Sequence, residues 1–365
     1  MFLSALSSAS LSPSKTTPVT QFGCRFIAYM TPDAQKAPNN TFLRQALLKG
    51  DNSLMTQSLY TADSGSQTNP MTIEKWVNFL SGGSDEYWKS MTGMQRDGWG
   101  LTSYNDAGEA YMSDRSEKPI STDPQFIHSV NTMLKEKPSV VLAHLREGHN
   151  PVFNNVQPFS QNNVSFMHNG GVPDAFIKEI TPKLKEYHQK YNIPLPKGDR
   201  DSEPLFYYLL GQLHEKHGTH DLSKLSSDQI RDVFGKTLQK IVTDVDNKTP
   251  NYFKVNQRVQ TNSSLNVLPE SRIHFPVGLN FVLSDGKRIF ASRTGRNLNV
   301  GFRTHPDGSN KDTVLASRRF QPKVGSGEPA ITWMEVPDKH IITLERNPKE
   351  HTVSFRLDPF SAYKS

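Results

Sequence analysis

The sequence predicts an α+β fold in which strands come first, helices follow, and strands return toward the end. Short apolar runs with aromatic and β-branched residues stand early in the chain, at 24–30 and 139–145. Helical spacing of apolar residues dominates the middle, and strand-like runs reappear from residue 279 onward. Strands that are segregated from helices along the chain favour a layered α+β sandwich.

The first strand is predicted over 24–30, because the run CRFIAYM is typical of a buried strand and Gly23 before it is a chain breaker. Glycines that follow helical spacing end two predicted helices, at 41–48 and 72–79. The continuous apolar run VVLAHL indicates a strand that is buried on both faces. Further strands are predicted over 99–104, 139–145 and 165–168.

In the second half of the chain, predicted helices come first and predicted strands follow. Apolar residues recur at helical spacing over 173–191, 203–214 and 227–245. Strands are predicted over 279–283, 288–292, 313–316 and 340–343, and the terminal VSFRLDPF alternates as an edge strand does. Loops over 59–70, 105–120 and 247–275 are expected to set specificity.

Composition limits the classes of function. The 365 residues carry a net charge of +6, but no block of like charges appears, so a nucleic-acid partner is not indicated. No apolar run approaches the ~18 to 20 residues of a membrane span, so we expect a cytoplasmic protein without a membrane partner. A single cysteine excludes an intrachain disulfide.

The first 23 residues are rich in serine and threonine and contain no acidic residue. They lack the basic start and the long apolar segment of a secretory signal. We expect residues 1–23 to be a disordered leader or a propeptide that is removed, with a targeting segment as the alternative.

Five short strings stand at turn-like positions beside strands or before a helix: GCRF, RDGWG, AHLREG, FMHNGG and RDSEPLF. Each has a plain structural interpretation. A lone cysteine is often a small buried hydrophobe, Trp99 can be a core indole in a tight turn, and Arg146 can be a solvated charge. Asp201 or Ser202 can simply cap a helix.

Together, the strings permit amide hydrolysis. If Cys24 were the first residue, its α-amine, with an ordinary pKa of about 7.7 to 8.0, could act as the base for its own thiol. The Asn169 amide and the Gly170 backbone N–H could stabilise an oxyanion. Arg146 could bind a carboxylate and Asp201 an ammonium, which suits a free α-amino acid end.

In this order and spacing, the strings resemble the class II glutamine amidotransferase domain of the N-terminal-nucleophile hydrolase superfamily. The resemblance implies a four-layer αββα sandwich, with two antiparallel sheets between helical layers, over residues 24–365. It implies that Cys24 is the nucleophile and that Asn169 and Gly170 form the oxyanion hole. The residues that it places at the substrate are Arg146, Asp201, His168 and Trp99.

The resemblance extends to strings outside the five, among them NSLMTQS at 52–58 and LNFVLSDGKRIFASR at 279–293. These are similar to stand-alone members of the family, which include the γ-glutamyl amidase of ergothioneine biosynthesis and glutathione-degrading proteins. Three features differ from the family pattern, since Gly23 precedes the cysteine, Arg200 stands where threonine is common, and Gln157 replaces a frequent histidine. The implied reaction is hydrolysis of a γ-glutamyl amide through a Cys24 thioester, without a cofactor or metal.

Other functions remain open at this point. The chain could be a glutaminase subunit that supplies ammonia to a separate synthase, or a non-catalytic regulatory relative that keeps its leader. It could also be a cysteine peptidase in which His144 or His168 serves as the base. A homo-oligomer or a separate peptidase subunit is possible. A metal site at His214, His217 and His220 is not favoured.

Overall fold

The computed structural model describes residues 24–34, 39–50, 52–58, 97–147, 152–248, 278–304, 311–323 and 326–363. The predicted leader, the predicted helix over 72–79 and the predicted loop over 59–70 lie outside these residues. Most of the predicted loop over 247–275 lies outside them as well.

The strands form two sheets in which every pair is antiparallel. In chain order they are β1 (Arg25–Met30), β2 (Trp99–Tyr104), β3 (Ala110–Ser116), β4 (Val140–Leu145), β5 (Phe159–Gln161), β6 (Val164–Gly171), β7 (Gly278–Ser284), β8 (Arg288–Arg293), β9 (Asn299–Thr304), β10 (Lys311–Ala316), β11 (Thr332–Glu335), β12 (His340–Asn347) and β13 (Thr352–Pro359). The seven-stranded sheet has the order β11-β9-β10-β1-β4-β2-β3, and the six-stranded sheet has the order β13-β12-β8-β7-β6-β5.

Six helices occur between these strands along the described part of the chain. They are α1 (Asn39–Arg44), which continues as a π-helical turn over Gln45–Lys49, then α2 (Leu54–Gln57), α3 (Pro124–Lys135), α4 (Asp174–Tyr191), α5 (Ser202–His217) and α6 (Ser227–Lys248). Short 3-10 turns occur at Phe153–Asn155, Leu222–Lys224 and Phe360–Ala362.

Three apolar clusters define the layers. One joins the outer face of the seven-stranded sheet to α1, α2 and α3. A second joins the outer face of the six-stranded sheet to α4, α5 and α6. The third lies between the two sheets and draws on β1, β4, β7, β8 and β12. The predicted four-layer αββα sandwich is therefore confirmed.

Alternation along the strands explains their continuous apolar sequences. In β1, Ile27 and Tyr29 contact the helical layer, whereas Phe26 and Ala28 face the other sheet. Because both faces are buried, polar residues are excluded from nearly every position. The same holds for β4, whose prediction as a strand buried on both faces is confirmed.

Some segments differ from the sequence prediction. The expected specificity loop over 105–120 contains β3, which forms one edge of the seven-stranded sheet. Helix α3 was not predicted, although Asp123 caps it and Pro124 begins it. The terminal edge strand is confirmed, because β13 borders the six-stranded sheet. Within the described residues, no helix is long and apolar enough to span a membrane.

Candidate active site

Cys24 stands directly before β1, and the backbone that follows β4 holds its sulfur. The Glu147 N–H donates to Cys24 Sγ at 3.4 Å, and the thiol points back at the Glu147 carbonyl oxygen, 3.9 Å away. The antiparallel pairing of Arg25 with Leu145 produces this contact, because Cys24 and the end of β4 are then neighbours. The strand register thus brings the first and third of the five strings together.

Arg146 lies between β4 and Glu147 and is buried, with 5% of its surface exposed. Its backbone N–H donates to the Gly98 carbonyl oxygen at 2.9 Å. The RDGWG turn, the AHLREG strand end and Cys24 therefore meet at one end of the seven-stranded sheet. A buried guanidinium one residue from the thiol contact suits the expected role as a carboxylate anchor.

Asn169 and Gly170 lie near the end of β6 in the other sheet, where they pair with Asn280 and Leu279 of β7. The side chain of Asn169 is buried, and its Oδ1 accepts a hydrogen bond from Arg296 Nη1 at 3.3 Å. Gly170 has a φ of 154°, and a Cβ on it would lie 2.0 Å from the carbonyl oxygen of Gly278. Only glycine fits at this position.

Replacing Gly170 by alanine is expected to lower the free energy of unfolding by about 3 kcal/mol or more, since strained φ and an overpacked contact both contribute. Gly218 is the matched control, because its φ is also positive at 72° but no atom lies near its missing Cβ. Gly218→Ala should cost about 1 to 2 kcal/mol. Equal losses in chemical denaturation would contradict the steric account.

Asp201 stands at the N-cap position of α5, but its carboxylate does not cap that helix. Its Oδ2 instead accepts the Val172 N–H at 2.8 Å, and its Oδ1 lies 3.3 Å from the Ser202 hydroxyl. The string therefore marks the start of the helix as predicted, although the Asp201 carboxylate makes no capping hydrogen bond. The carboxylate is fixed against the chain just after β6, next to Asn169 and Gly170.

His168 was expected at the substrate, but both of its ring nitrogens contact protein. Nδ1 lies 3.0 Å from the Ser202 hydroxyl, and Nε2 lies 2.8 Å from the Gly278 carbonyl oxygen. Burial lowers the pKa of His168, although the charge of Asp201 acts in the opposite direction. The residue therefore links β6, β7 and α5 through its two ring nitrogens. Gln157 supports the same strand, because its Oε1 accepts the His168 backbone N–H at 2.5 Å.

Trp99 was also expected at the substrate, and its position corrects that expectation. The indole is fully buried in the cluster that joins the seven-stranded sheet to its helices. Its Nε1 donates to Asp123 Oδ2 at 3.0 Å, and its ring packs edge-on against Phe126 with centroids 5.0 Å apart. Trp99 thus anchors α3, and the core interpretation of the indole is the correct one.

Arg296 is a site residue that the sequence motifs missed. It lies in the turn after β8, three residues beyond the string that ends at Arg293, and is buried. Burial lowers the pKa of its guanidinium, whereas the negative charges that Cys24, Glu147 and Asp201 carry when ionised raise it. One cation therefore interacts with the nucleophile, with the predicted ammonium anchor and, by a hydrogen bond, with Asn169.

Burial raises the pKa of the Cys24 thiol, and the Glu147 N–H and the charges of Arg296 and Arg146 offset only part of that increase. While Gly23 is attached, Cys24 N belongs to the peptide bond with it. The sulfur is therefore mainly protonated near neutral pH, and it has no α-amine beside it.

We expect iodoacetamide to alkylate this thiol slowly, with a pH midpoint above that of the same cysteine in the unfolded chain. The rate is measured against pH on the chain with its leader attached. The control is the same protein in guanidinium chloride, since the sequence contains one cysteine. A folded-state midpoint at or below the unfolded one would contradict this account.

Neither His144 nor His168, the two histidines that could serve as a base, is positioned for a peptidase mechanism. His144 is buried, and burial lowers its pKa to about 3. In the described part of the chain, the hydrogen-bond partners of Cys24 Sγ are the backbone atoms of Glu147, and neither His144 nor His168 contacts it. A Cys and His pair therefore has no support in this geometry.

The three histidines near the end of α5 do not form a metal centre. His214 Nδ1 and His220 Nδ1 lie 3.0 Å apart, and His217 Nδ1 contacts Gln229 instead. Across the residues that the structure describes, no group of three or more His, Cys, Asp or Glu side chains could hold a metal ion.

Residues 84–245 match the family model of class II glutamine amidotransferases. This range includes four of the five strings, from RDGWG to RDSEPLF. Residues 84–245 are therefore similar to the class II glutamine amidotransferase family. Cys24 precedes the matched range, so the contact between its sulfur and Glu147 is what connects it to the amidotransferase motifs.

Solved structures similar to the chain include a glutamine aminotransferase class-II domain protein from Silicibacter pomeroyi, at 16% identity and a TM-score of 0.45, covering 92% of this chain and 100% of that one. Glutamine phosphoribosylpyrophosphate amidotransferase from B. subtilis is similar at 14% identity and a TM-score of 0.46, covering 92% of this chain and 49% of that one. A predicted glutamine amidotransferase from Pseudomonas aeruginosa is similar at 13% identity and a TM-score of 0.40, covering 88% and 92%. No curated protein matches the chain.

Proposed function

We propose that the chain, once it begins at Cys24, is an N-terminal-nucleophile amidohydrolase that cleaves γ-glutamyl amides through a thioester on Cys24. The observation that carries the proposal is the place of the Cys24 sulfur, held by the Glu147 backbone one residue from the buried Arg146. An acyl-transfer nucleophile beside a carboxylate anchor is what a γ-glutamyl substrate requires.

In the proposed reaction, the α-amine of Cys24 takes the thiol proton, and the sulfur attacks the amide carbonyl carbon of the substrate. The tetrahedral oxyanion receives hydrogen bonds from the Asn169 side-chain amide and the Gly170 N–H. The C–N bond then breaks, and the amine leaves with the proton from the α-amine. Water then attacks the thioester while the α-amine takes one of its protons, and the C–S bond breaks. The α-amine returns that proton to the sulfur, which restores the thiol, and the product acid releases its own proton to solvent as the γ-carboxylate forms.

Charge explains why the substrate would be a γ-glutamyl compound. Arg146 follows β4 of the seven-stranded sheet and precedes Glu147, whose N–H contacts the sulfur. Asp201 stands at the start of α5, where its carboxylate accepts the Val172 N–H just after β6 of the other sheet. Anchors of opposite sign can bind an α-carboxylate and an α-ammonium, which leaves the γ-amide to reach Cys24. A substrate that lacks either group should react poorly.

The experiment combines intact mass and N-terminal sequencing with a substrate panel. We expect the active form to begin at Cys24 and to hydrolyse L-glutamine, glutathione or another γ-glutamyl amide. N-acetylglutamine, in which the ammonium is blocked, should react much more slowly. Full activity in a chain that retains residues 1–23 would sink the proposal, because no α-amine would then exist at Cys24.

The same panel separates the alternatives. Glutamine as the preferred substrate, with activity that rises when a synthase is added, would indicate a glutaminase subunit that supplies ammonia. A stable leader with no activity on any amide would indicate a regulatory relative. The cytoplasmic location, the homo-oligomer and the separate subunit stay predictions.

A further inference from the structure

We propose that Arg296 is a positioning residue, whose guanidinium fixes the Asn169 amide with its NH2 group toward the oxyanion. This inference rests on the proposed function, since it gives Arg296 a task in the same acyl transfer. It comes from geometry that the five sequence strings do not contain.

The hydrogen bond between the two residues determines the orientation of the amide. A guanidinium has only donors, so the part of an asparagine side chain that can face it is the oxygen. Arg296 Nη1 donates to Asn169 Oδ1 at 3.3 Å, and both side chains are buried. The opposite orientation would turn the NH2 group against Arg296 and present an oxygen to the oxyanion.

The turn that carries Arg296 is tied to the strand that pairs with Asn169. Asn280, the partner of Asn169 in the register of β7, donates from Nδ2 to the Arg296 carbonyl oxygen at 3.1 Å. Its Oδ1 accepts the Thr294 N–H at 2.9 Å. Both residues of the Arg296–Asn169 contact are therefore held by neighbouring positions of β6 and β7.

A glycine makes room for the arginine side chain. A Cβ on Gly278 would lie 2.9 Å from Arg296 Cγ and 3.0 Å from its Cδ. The Gly278 carbonyl oxygen also accepts from His168 Nε2 and stands over Gly170. Because the Arg296 side chain passes so close to Gly278, a residue with a Cβ at position 278 would clash with it.

The charge of Arg296 has a second effect. It stabilises the thiolate of Cys24 and opposes the burial that raises the pKa of the thiol. Glu147 and Asp201 balance the same cation. An arginine stays protonated at physiological pH, so the charge persists throughout the reaction.

The test compares Arg296→Met, which removes donors and charge, with Arg296→Lys, which keeps the charge but loses the planar fork. Arg44 supplies the control, because its Nη1 donates to Asn131 Oδ1 at 2.6 Å on the outer helical layer. For Arg296→Met we expect kcat to fall about 100-fold with a smaller change in KM. The Cys24 alkylation midpoint should also move to higher pH.

Arg296→Lys should keep the alkylation midpoint near that of the parent protein while kcat still falls about 10-fold or more. Arg44→Met should leave both quantities unchanged. A parental kcat and a parental alkylation profile in Arg296→Met would overturn the proposal. Full kcat in Arg296→Lys would overturn the orienting role.

A readout independent of turnover separates this inference from the proposed function. The side-chain NH2 resonances of Asn169, assigned by their loss in Asn169→Asp, should shift in Arg296→Met and stay in place in Arg44→Met. If the parent protein hydrolyses no γ-glutamyl amide but these resonances shift, the proposed function fails and the orienting contact stands. Unshifted resonances would refute the contact itself.

Discussion

Replacing Cys24 by alanine is expected to reduce hydrolysis of γ-glutamyl amides by at least about 1,000-fold in the processed protein. The sulfur is the group held at 3.4 Å by the Glu147 N–H, next to Arg146, and the proposed mechanism has no other nucleophile. The measurement is kcat/KM on the preferred substrate, together with a search for an acyl-enzyme by intact mass after rapid acid quench.

The control uses the fact that the sequence contains one cysteine. Iodoacetamide should add one label to the parent protein and remove its activity, whereas the alanine variant should take up none. Because the residue is half-buried and small, the thermal unfolding temperature should change little. Activity that survives either treatment would remove Cys24 from the mechanism.

Replacing Asn169 by alanine is expected to lower kcat by about 100- to 1,000-fold, which is the range for loss of one oxyanion donor. KM should change much less, since the donor acts mainly after the sulfur has attacked. The measurement is steady-state kinetics on the processed protein, with thermal unfolding followed in parallel.

Asn131→Ala is the matched control for this variant. Asn131 also accepts a hydrogen bond from an arginine, but it lies on α3 in the outer helical layer. The Asn131→Ala protein should lose some stability and keep the kcat of the parent protein. If Asn169→Ala raised KM alone, the residue would be a substrate contact and not part of the oxyanion hole.

Much of the fold was predictable because the central strands are buried on both faces. The apolar runs of β1, β4 and β7 have this property, and their predicted positions agree with the structure within a few residues. The edge strands β3 and β11 were missed, because they have exposed or half-exposed residues and carry no clear pattern, whereas the edge strand β13 was predicted. Helix α3 was overlooked despite its Asp-Pro start and its buried Phe126 and Val130.

The candidate site divides in the same way. Local strings identified Cys24, Arg146, Asn169, Gly170 and Asp201 as candidates, because each of them lies beside a strand end or a helix start. Side-chain direction could not be predicted from a string, which is why Trp99 and His168 were expected at the substrate.

Arg296 could not be found from local sequence, because its contact with Asn169 joins residues 127 positions apart. That contact depends on the register between β6 and β7 and on the turn after β8. A search for arginines in the turn after this hairpin would have listed Arg296 as a candidate, without giving it a partner.

The position of β1 has a consequence for how the nucleophile responds to unfolding. β1 is the middle strand of its sheet, with three strands on each side. Backbone amides in such a strand exchange with solvent mainly when the whole molecule opens, whereas those in edge strands and loops exchange through local fluctuations. The amides just after Cys24 should therefore be among the slowest to exchange, and denaturant should abolish activity only where the entire domain melts.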